Sequence, residues 1–169
     1  MGMSQAEIRE IMAKHAAALT LYARSFFLTE SLHHAEEIVQ DAFFQIYREK
    51  KTPENVSAWL YKAVRNGAVS RLRSEQRRRS REQAWEQAKM SGPWFVPDPT
   101  QKLDAEHVAR MLQTLDAELR EIIVLAIWGE RSFAEIAELT GLSKTTVFRR
   151  YEQGLATLRK RIQGTYHNE

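Results

Sequence analysis

The residues with the most specific chemistry lie between positions 57 and 79, where aromatic and amide side chains precede a run of arginines. Aromatic rings stack on exposed nucleic-acid bases, with about 1–3 kcal/mol for each stacked base. Arginines bind the neighbouring phosphates, with an affinity that falls as salt rises. The candidate residues are Trp59, Tyr61, Arg65, Asn66, Arg71, Arg73, Arg77, Arg78 and Arg79. The pattern indicates contact with single-stranded or opening DNA, and a core position for Trp59 fits the sequence equally well.

A second pattern predicts two closely spaced helices between residues 132 and 154. Ser132 and Glu135 form a capping box, which starts a helix. Gly141 can adopt the left-handed conformation that ends it, and Ser143 is a good N-cap for the next helix. Two helices joined by such a turn form a helix-turn-helix unit, whose second helix can enter a major groove. Its outward side chains would be Lys144, Thr145, Arg149, Glu152 and Gln153. A helical hairpin buried in a bundle would have the same caps.

Further helices must position these residues, and no segment is typical of a strand. Ser4 and Glu7 form another capping box at the start of an amphipathic helix. A second helix is predicted over residues 35–50, and Ser57 is expected to cap a third helix from residue 58 to about 79. A helix over 104–115 and one opened by Asp116 precede the helix-turn-helix. The predicted fold is therefore all-α.

Apolar residues at helical spacing predict which side chains enter the core. In the second helix they are Val39, Ala42, Phe43, Ile46 and Tyr47. In the helix opened by Asp116 they are Leu119, Ile122, Ile123, Ala126 and Ile127.

A proline-containing linker is predicted between two small helical domains. Three prolines fall within the seven residues 93–99, which disfavours a helix there. We therefore predict domains at 4–79 and 103–164, with a linker at 80–102. Trp94 and Phe95 in this linker form either a clip that docks on one domain or a strap that binds a partner.

Charge is distributed unevenly although the formal net charge is only +3. Residues 53–82 contain eight basic and three acidic side chains, and residues 143–169 contain six and two. Two separate basic segments are what a protein that touches a polyanion at two places would need, and solvated surface charge is the alternative for either one alone.

Composition argues against several classes of protein. The chain has no cysteine, so disulfides and thiolate metal sites are excluded. Its longest apolar run, at 122–128, is short of the roughly 20 residues needed to span a bilayer, and we expect a cytoplasmic protein. There is no glycine-rich phosphate loop, and "HHAEE" at 33–37 is a weak metal candidate because adjacent histidines project about 100° apart on a helix. We expect neither enzymatic activity nor a cofactor.

Three segments together resemble bacterial RNA polymerase sigma factors of the extracytoplasmic-function (ECF) class. Region 2.2 of that class is similar to "AEEIVQDAFFQIYREK", and regions 2.3 and 2.4 are similar to "AWLYKAVRNGAVSRLRSEQRR". Region 4 is similar to "LDAELREIIVLAIWGERSFAEIAELTGLSKTTVFRRYEQGLATLRKRI". The resemblance covers roughly residues 5–79 and 103–162, and implies a minimal two-domain member without a further carboxy-terminal domain.

The resemblance implies partners and residue roles. Glu37, Gln40 and Asp41 would bind the β′ clamp helices of core RNA polymerase, and the β flap and an anti-sigma factor are further expected partners. The −10 element of promoter DNA would be contacted by the loop before the third helix and by that helix: Lys50, Lys51, Asn55, Trp59, Tyr61, Arg65, Asn66, Arg73, Arg77 and Arg78. The −35 element would be contacted by Lys144, Thr145, Arg149, Arg150, Glu152 and Gln153. Arg149 suits guanine and Gln153 suits adenine, whereas Lys144 and Arg150 suit phosphate.

Four residues depart from the family pattern, so the promoter sequence should not be inferred from relatives. Ser70 replaces a frequent Asp, Phe148 occupies a position that is commonly polar or basic, and Gln153 and Leu155 replace frequent arginines. The alternative function is an autonomous helix-turn-helix regulator with an amino-terminal sensing or dimerisation domain.

Overall fold

The computed structural model describes residues 3–27, 32–82 and 111–166 of the chain, and these contain helices and no strand. The chain divides into two compact units, residues 1–93 and 94–169, which are described separately. The helices of the first unit are α1 (Gln5–Arg24), α2 (Leu32–Arg48) and α3 (Val56–Glu82). Those of the second are α4 (Ala117–Ile127), α5 (Phe133–Thr140) and α6 (Lys144–Tyr166). The predicted all-α fold is confirmed.

The three helices of the first unit pack around one core. Ser4 and Glu7 form the predicted capping box at the start of α1. Tyr22 on α1 is fully buried, and its ring lies 5.5 Å from that of Tyr61 on α3. Leu60, Val64 and Ala68 on α3 complete this inward side. The packing fixes which side of α3 faces solvent.

The second unit is built around α4, because every residue from Leu119 to Leu125 is buried. Even Arg120 lies inside, where its Nη2 donates to the Leu115 carbonyl at 3.0 Å, and burial lowers its pKa. Helix α6 lies directly on α4 at Gly154, where a Cβ would come within 2.9 Å of Ile123 Cγ1. This close approach sets the distance between the two helices.

Three sequence predictions in these helices are wrong. The cap of α3 is Asn55 rather than Ser57, since Asn55 Oδ1 accepts from the Ala58 N–H at 2.9 Å and the helix begins two residues earlier. The spacing predicts Tyr47 and Ile127 in the core, but both side chains are 43% exposed.

Part of the predicted boundary region lies outside the described residues. Helix α3 continues through Glu82, past the predicted start of the linker at residue 80. Residues 83–102, with Trp94 and Phe95, and residues 104–110 of the predicted helix are not described, whereas residues 111–113 are helical.

Candidate nucleic-acid and polymerase interfaces

The helix-turn-helix has the predicted local geometry. Ser132 Oγ accepts from the Glu135 N–H at 3.3 Å, and Glu135 Oε2 accepts from the Ser132 N–H at 2.8 Å. Gly141 has φ 74°, and its N–H donates to the Ala137 carbonyl. Ser143 Oγ then accepts from the Thr146 N–H at 3.1 Å and opens α6. The start of α5, the end of α5 and the start of α6 are therefore capped by local hydrogen bonds.

The capping box also changes the acidity of Glu135. The hydrogen bond from the Ser132 backbone N–H, with help from the Ser132 hydroxyl and the Arg131 charge, holds the pKa of Glu135 below its ordinary value. Arg131 Nη1 lies 3.1 Å from Glu135 Oε1. The charged form of Glu135 thus contributes to the start of α5.

Helix α6 presents most of the predicted −35 residues to solvent. Its inner side is marked by Val147, which is fully buried, and by Gly154. The opposite side is called the α6 reading face here, and all of its members are exposed: Lys144, Thr145, Phe148, Arg149, Glu152 and Gln153. At about 100° per residue these positions form one continuous surface over the first turns of the helix.

Arg150 lies apart from this face. Its guanidinium contacts the carboxylate of Glu118 in the first turn of α4, and its side chain is half-buried. Arg150 therefore joins α6 to α4, and its engagement by Glu118 argues against the phosphate contact expected from the sequence.

Phe148, which departs from the family pattern, belongs to the α6 reading face. It is 49% exposed, and its ring meets Phe133 of α5 edge-on, with centroids 5.7 Å apart and planes at 72°. The Phe133 ring also packs against the Tyr151 ring, with centroids 5.2 Å apart. One part of the Phe148 ring is thus held by the unit and the rest faces outward.

In the first unit, four predicted −10 residues fall on one line along α3. Trp59, Asn66, Arg73 and Arg77 follow each other at steps of seven, seven and four residues, which return to nearly the same angle of a helix. Lys62 lies on the same line, is exposed, and was not singled out from the sequence. These five residues are called the α3 stripe. Trp59 is half-buried and the other four are exposed.

Three other candidates lie outside the α3 stripe: Tyr61 is buried, Arg65 borders the stripe, and Arg78 projects to another side of the helix. Tyr61 is 1% exposed and packs on Tyr22, so the prediction that it contacts DNA is wrong. The two residues Trp59 and Tyr61 project about 200° apart on the helix, which is why only one can face solvent. Arg65 lines the same depression as Asn66 and Arg73, whereas Arg78 projects about 100° from the stripe.

The loop before α3 supplies the remaining −10 candidates. Lys50 and Lys51 are exposed and share a depression with Arg48 at the end of α2. Asn55 is exposed too, but its side-chain oxygen is engaged as the cap of α3. Lys50 and Lys51 thus remain accessible to a phosphate backbone.

The predicted polymerase-binding residues lie on the solvent side of α2. Gln40 and Asp41 are exposed, as is Glu37, whose Oε2 lies 3.4 Å from Arg71 Nη2 on α3. The sequence missed two further members of this side: Phe44, which is 61% exposed, and Tyr47. Arg48 lies over the Phe44 ring at 5.5 Å from its centroid. The α2 face consists of Glu37, Gln40, Asp41, Phe44, Tyr47 and Arg48.

Neither a membrane-spanning helix nor a cluster of metal-binding side chains lies within residues 3–27, 32–82 and 111–166. No helix there is long and apolar enough to cross a membrane. In the same residues no group of three or more His, Cys, Asp or Glu side chains is arranged to hold a metal ion.

Comparisons with known proteins agree with this division into two units. Residues 11–78 match the family "Sigma-70 region 2", and residues 106–158 match "Sigma-70, region 4". Together the two matches cover most of the chain, and they include most of α3, all of α5 and the first part of α6.

Curated relatives of this chain are ECF RNA polymerase sigma factors. The ECF RNA polymerase sigma factor SigK of Mycolicibacterium vanbaalenii is 31% identical over 133 residues, covering 75% of this chain and 68% of the relative. SigL of Mycobacterium tuberculosis is 28% identical over 160 residues, covering 92% and 89%. The chain spans about two thirds of the length of its SigK relatives, 65% in the case of SigK from a Mycobacterium species.

Solved structures share the fold. RpoE of Bartonella quintana, in complex with the anti-sigma factor NepR, superposes with a TM-score of 0.77 at 21% identity, covering 93% of this chain and 97% of that one. CnrH, in complex with the cytosolic domain of CnrY, superposes with a TM-score of 0.64 at 26% identity, covering 95% of this chain and 90% of that one. With the region 2 and region 4 matches and the SigK identity, these findings show that the chain belongs to the ECF group of the sigma-70 family of bacterial RNA polymerase sigma factors.

Proposed function

We propose that this sigma factor binds core RNA polymerase, contacts a −35 element through the α6 reading face and a −10 element through the α3 stripe, and helps to open the promoter. The observation that carries the proposal is the α3 stripe, because it aligns a half-buried tryptophan and an exposed amide with three exposed cations on one side of one helix. Such a line suits a displaced single strand, whose bases stack while its phosphates are neutralised.

At the −35 element, Arg149 suits the O6 and N7 acceptors of guanine, and Gln153 suits the N6 and N7 groups of adenine. Lys144, at the first position of α6, suits a backbone phosphate, where the helix N-terminus adds favourable donors. Double-stranded DNA would thus meet α6 while α3 holds the opened strand.

At the −10 element, one base of the non-template strand would be held by Trp59 and Asn66. Unstacking a base costs a few kcal/mol, and stacking on an aromatic ring offsets much of that cost. Arg73, Arg77, Lys50 and Lys51 would neutralise the flanking phosphates. The half-buried state of Trp59 supports this, since its ring is partly anchored and partly accessible.

Core polymerase would bind the α2 face. A surface with carboxylate, amide and exposed aromatic side chains is suited to another protein rather than to phosphate. Aromatic side chains are enriched in the buried centres of protein–protein interfaces, where they contribute most of the binding free energy. In the second unit the exposed pair Ile127 and Trp128 offers an apolar surface for the β flap. An anti-sigma factor is a further proposed partner, supported by the complexes of the two similar solved structures.

The test is run-off transcription by the cognate core polymerase with and without this chain, on a library of promoters with randomised −35 and −10 elements. We expect transcripts only with the chain present, from templates that share two elements, and weak duplex binding by the chain alone. The Arg149→Ala variant is compared in parallel, and it should show a relaxed preference at one base pair of the −35 element. Transcription that is independent of the chain would contradict the proposal, and tight binding of an inverted repeat by the chain alone would favour the autonomous regulator.

A further inference from the structure

Phe148 is the one residue of the α6 reading face without a hydrogen-bonding side chain. It lies three residues after Thr145, directly before Arg149 and four residues before Glu152, so it is surrounded by groups that face outward. A phenylalanine that served only the interior would project toward Val147 and Ile136, which are fully buried. Phe148 instead leaves 49% of its surface in solvent.

The orientation of Phe148 is set from within the unit. Phe133, the first residue of α5, meets its ring edge-on at 5.7 Å, and Phe133 is itself supported by Tyr151 at 5.2 Å. The capping box of Ser132 and Glu135 fixes the position of Phe133 in the first turn of α5. A ring held in this way loses little conformational entropy when a partner covers its exposed part.

The chemistry of the ring restricts what it can recognise on DNA. A phenyl side chain neither donates to base acceptors nor pairs with phosphate. The apolar group that B-DNA displays in the major groove is the C5-methyl group of thymine, and Phe is among the side chains that contact it. The neighbouring Arg149 and Glu152 can satisfy the polar edges of adjacent bases, so a phenyl ring between them would leave those hydrogen bonds intact.

We propose that Phe148 is a specificity determinant that contacts the C5-methyl group of a thymine in the −35 element, next to the base pair contacted by Arg149. The inference rests on the proposed function, because it requires α6 to occupy the major groove. It makes a methyl group, rather than a hydrogen-bonding edge, part of what this sigma factor selects.

The experiment uses holoenzyme, formed from core polymerase and the full chain, with the promoter selected above. Each thymine of the −35 element is replaced singly by deoxyuridine, which lacks only the methyl group. At one thymine we expect affinity to fall by about fourfold, the value of one buried methyl group. The loss should be absent in the Phe148→Ala variant and retained in the conservative Phe148→Leu variant.

A second substrate separates the methyl group from the base. At the sensitive position, replacing the T·A pair by C·G should weaken binding, and 5-methylcytosine in place of cytosine should recover part of it for the parent and none for Phe148→Ala. The inference would be overturned if no deoxyuridine substitution lowered the affinity of the parent. It would also be overturned if Phe148→Ala lost as much affinity as the parent, or if the selected −35 element contained no thymine.

The two proposals fail in different ways. If Arg149→Ala alters the choice of promoter while all deoxyuridine substitutions are neutral, only the role of Phe148 is wrong. If holoenzyme selects no promoter at all, the proposed function is wrong and the inference falls with it.

Discussion

Arg150 on α6 and Glu118 in the first turn of α4 form an ion pair that links these two helices. Both side chains are about one-third exposed, at 31% and 40%, so the pair is worth only about 0.2–1 kcal/mol. Its larger consequence is directional, since Arg150 projects about 100° away from Arg149 around α6. Arg150 therefore faces α4, whereas its sequence neighbour Arg149 faces solvent.

We predict that Lys144→Ala and Arg150→Ala have different effects on the salt dependence of promoter binding. Removing Lys144 should lower the slope of log affinity against log salt by about 1, because one phosphate contact is lost. Removing Arg150 should leave the slope nearly unchanged, since its guanidinium is held by Glu118. The measurement is holoenzyme binding over a salt series, and equal slopes for the two variants would contradict the prediction.

Arg149→Ala should relax the preference at one base pair of the −35 element by about 1–3 kcal/mol. The physical reason is the loss of a bidentate hydrogen bond to guanine. Selection of promoters from the randomised library measures the preference directly, and Lys144→Ala serves as the control because a lost phosphate contact weakens all sequences alike. An unaltered base preference in the Arg149 variant would remove this residue from the recognition set.

Phe44→Ser should weaken binding to core polymerase, because a large exposed aromatic side chain at the centre of an interface contributes about 2 kcal/mol or more. The double variant Gln40→Ala, Asp41→Ala should also weaken binding to core polymerase. Copurification with core polymerase measures both, and helical content by circular dichroism checks the fold. The matched control is Met12→Ser, a change at an exposed apolar residue of α1. Equal retention of the Phe44 and Met12 variants would exclude the α2 face.

Trp59→Ala should slow promoter opening more than it weakens duplex binding, because a stacked base, worth about 1–3 kcal/mol, exists only after strand separation. Opening is followed by permanganate reactivity of unpaired thymines and duplex binding by anisotropy. Asn55→Ala, which removes the cap of α3 without removing the ring, tests for an indirect effect through the helix start. If both steps decline equally for Trp59→Ala, this tryptophan belongs to the core.

Acid should loosen the start of α5. The pKa of Glu135 is lowered in the folded state, chiefly by the Ser132 backbone hydrogen bond. Its stabilisation is therefore present above the unfolded value of about 4.3 and is lost as the pH falls through the folded value.

Amide signals of α5 in urea titrations at neutral and acidic pH should show this loss in the parent. Glu135→Gln should show less pH dependence, because Gln keeps a cap oxygen without a titrating proton. Ser132→Ala should cost about 1 kcal/mol at neutral pH. An identical pH response in the parent and in Glu135→Gln would show that other carboxyl groups control the acid response.

The features that were predictable from the sequence depend on contacts within a few residues. The Ser132–Glu135 capping box and the left-handed Gly141 involve neighbours in the chain, so local pattern predicts them correctly. The arginines and Trp59 of the α3 stripe were identified by residue type, but their common line follows only from a continuous helix.

The features that were not predictable depend on distant packing. Residue type alone permits either Trp59 or Tyr61 to enter the core. In the structure Tyr61 is the one that packs there, against Tyr22 of α1. Asn55 and Ser57 are both good caps, and the helix begins at the earlier one. Tyr47 lies outside the core although its spacing fits, because helical periodicity does not specify how far the neighbouring helices extend.

The contact between Gly154 and Ile123 divides α6 into a side that must stay constant and a side that is free to change. A side chain at position 154 would require Ile123 or α6 itself to shift, whereas side chains on the outward side of α6 meet solvent. Under the proposed function, new promoter preferences can therefore be engineered into this scaffold by diversifying one surface of one helix. Orthogonal variants for synthetic circuits would differ in that surface and share everything beneath it.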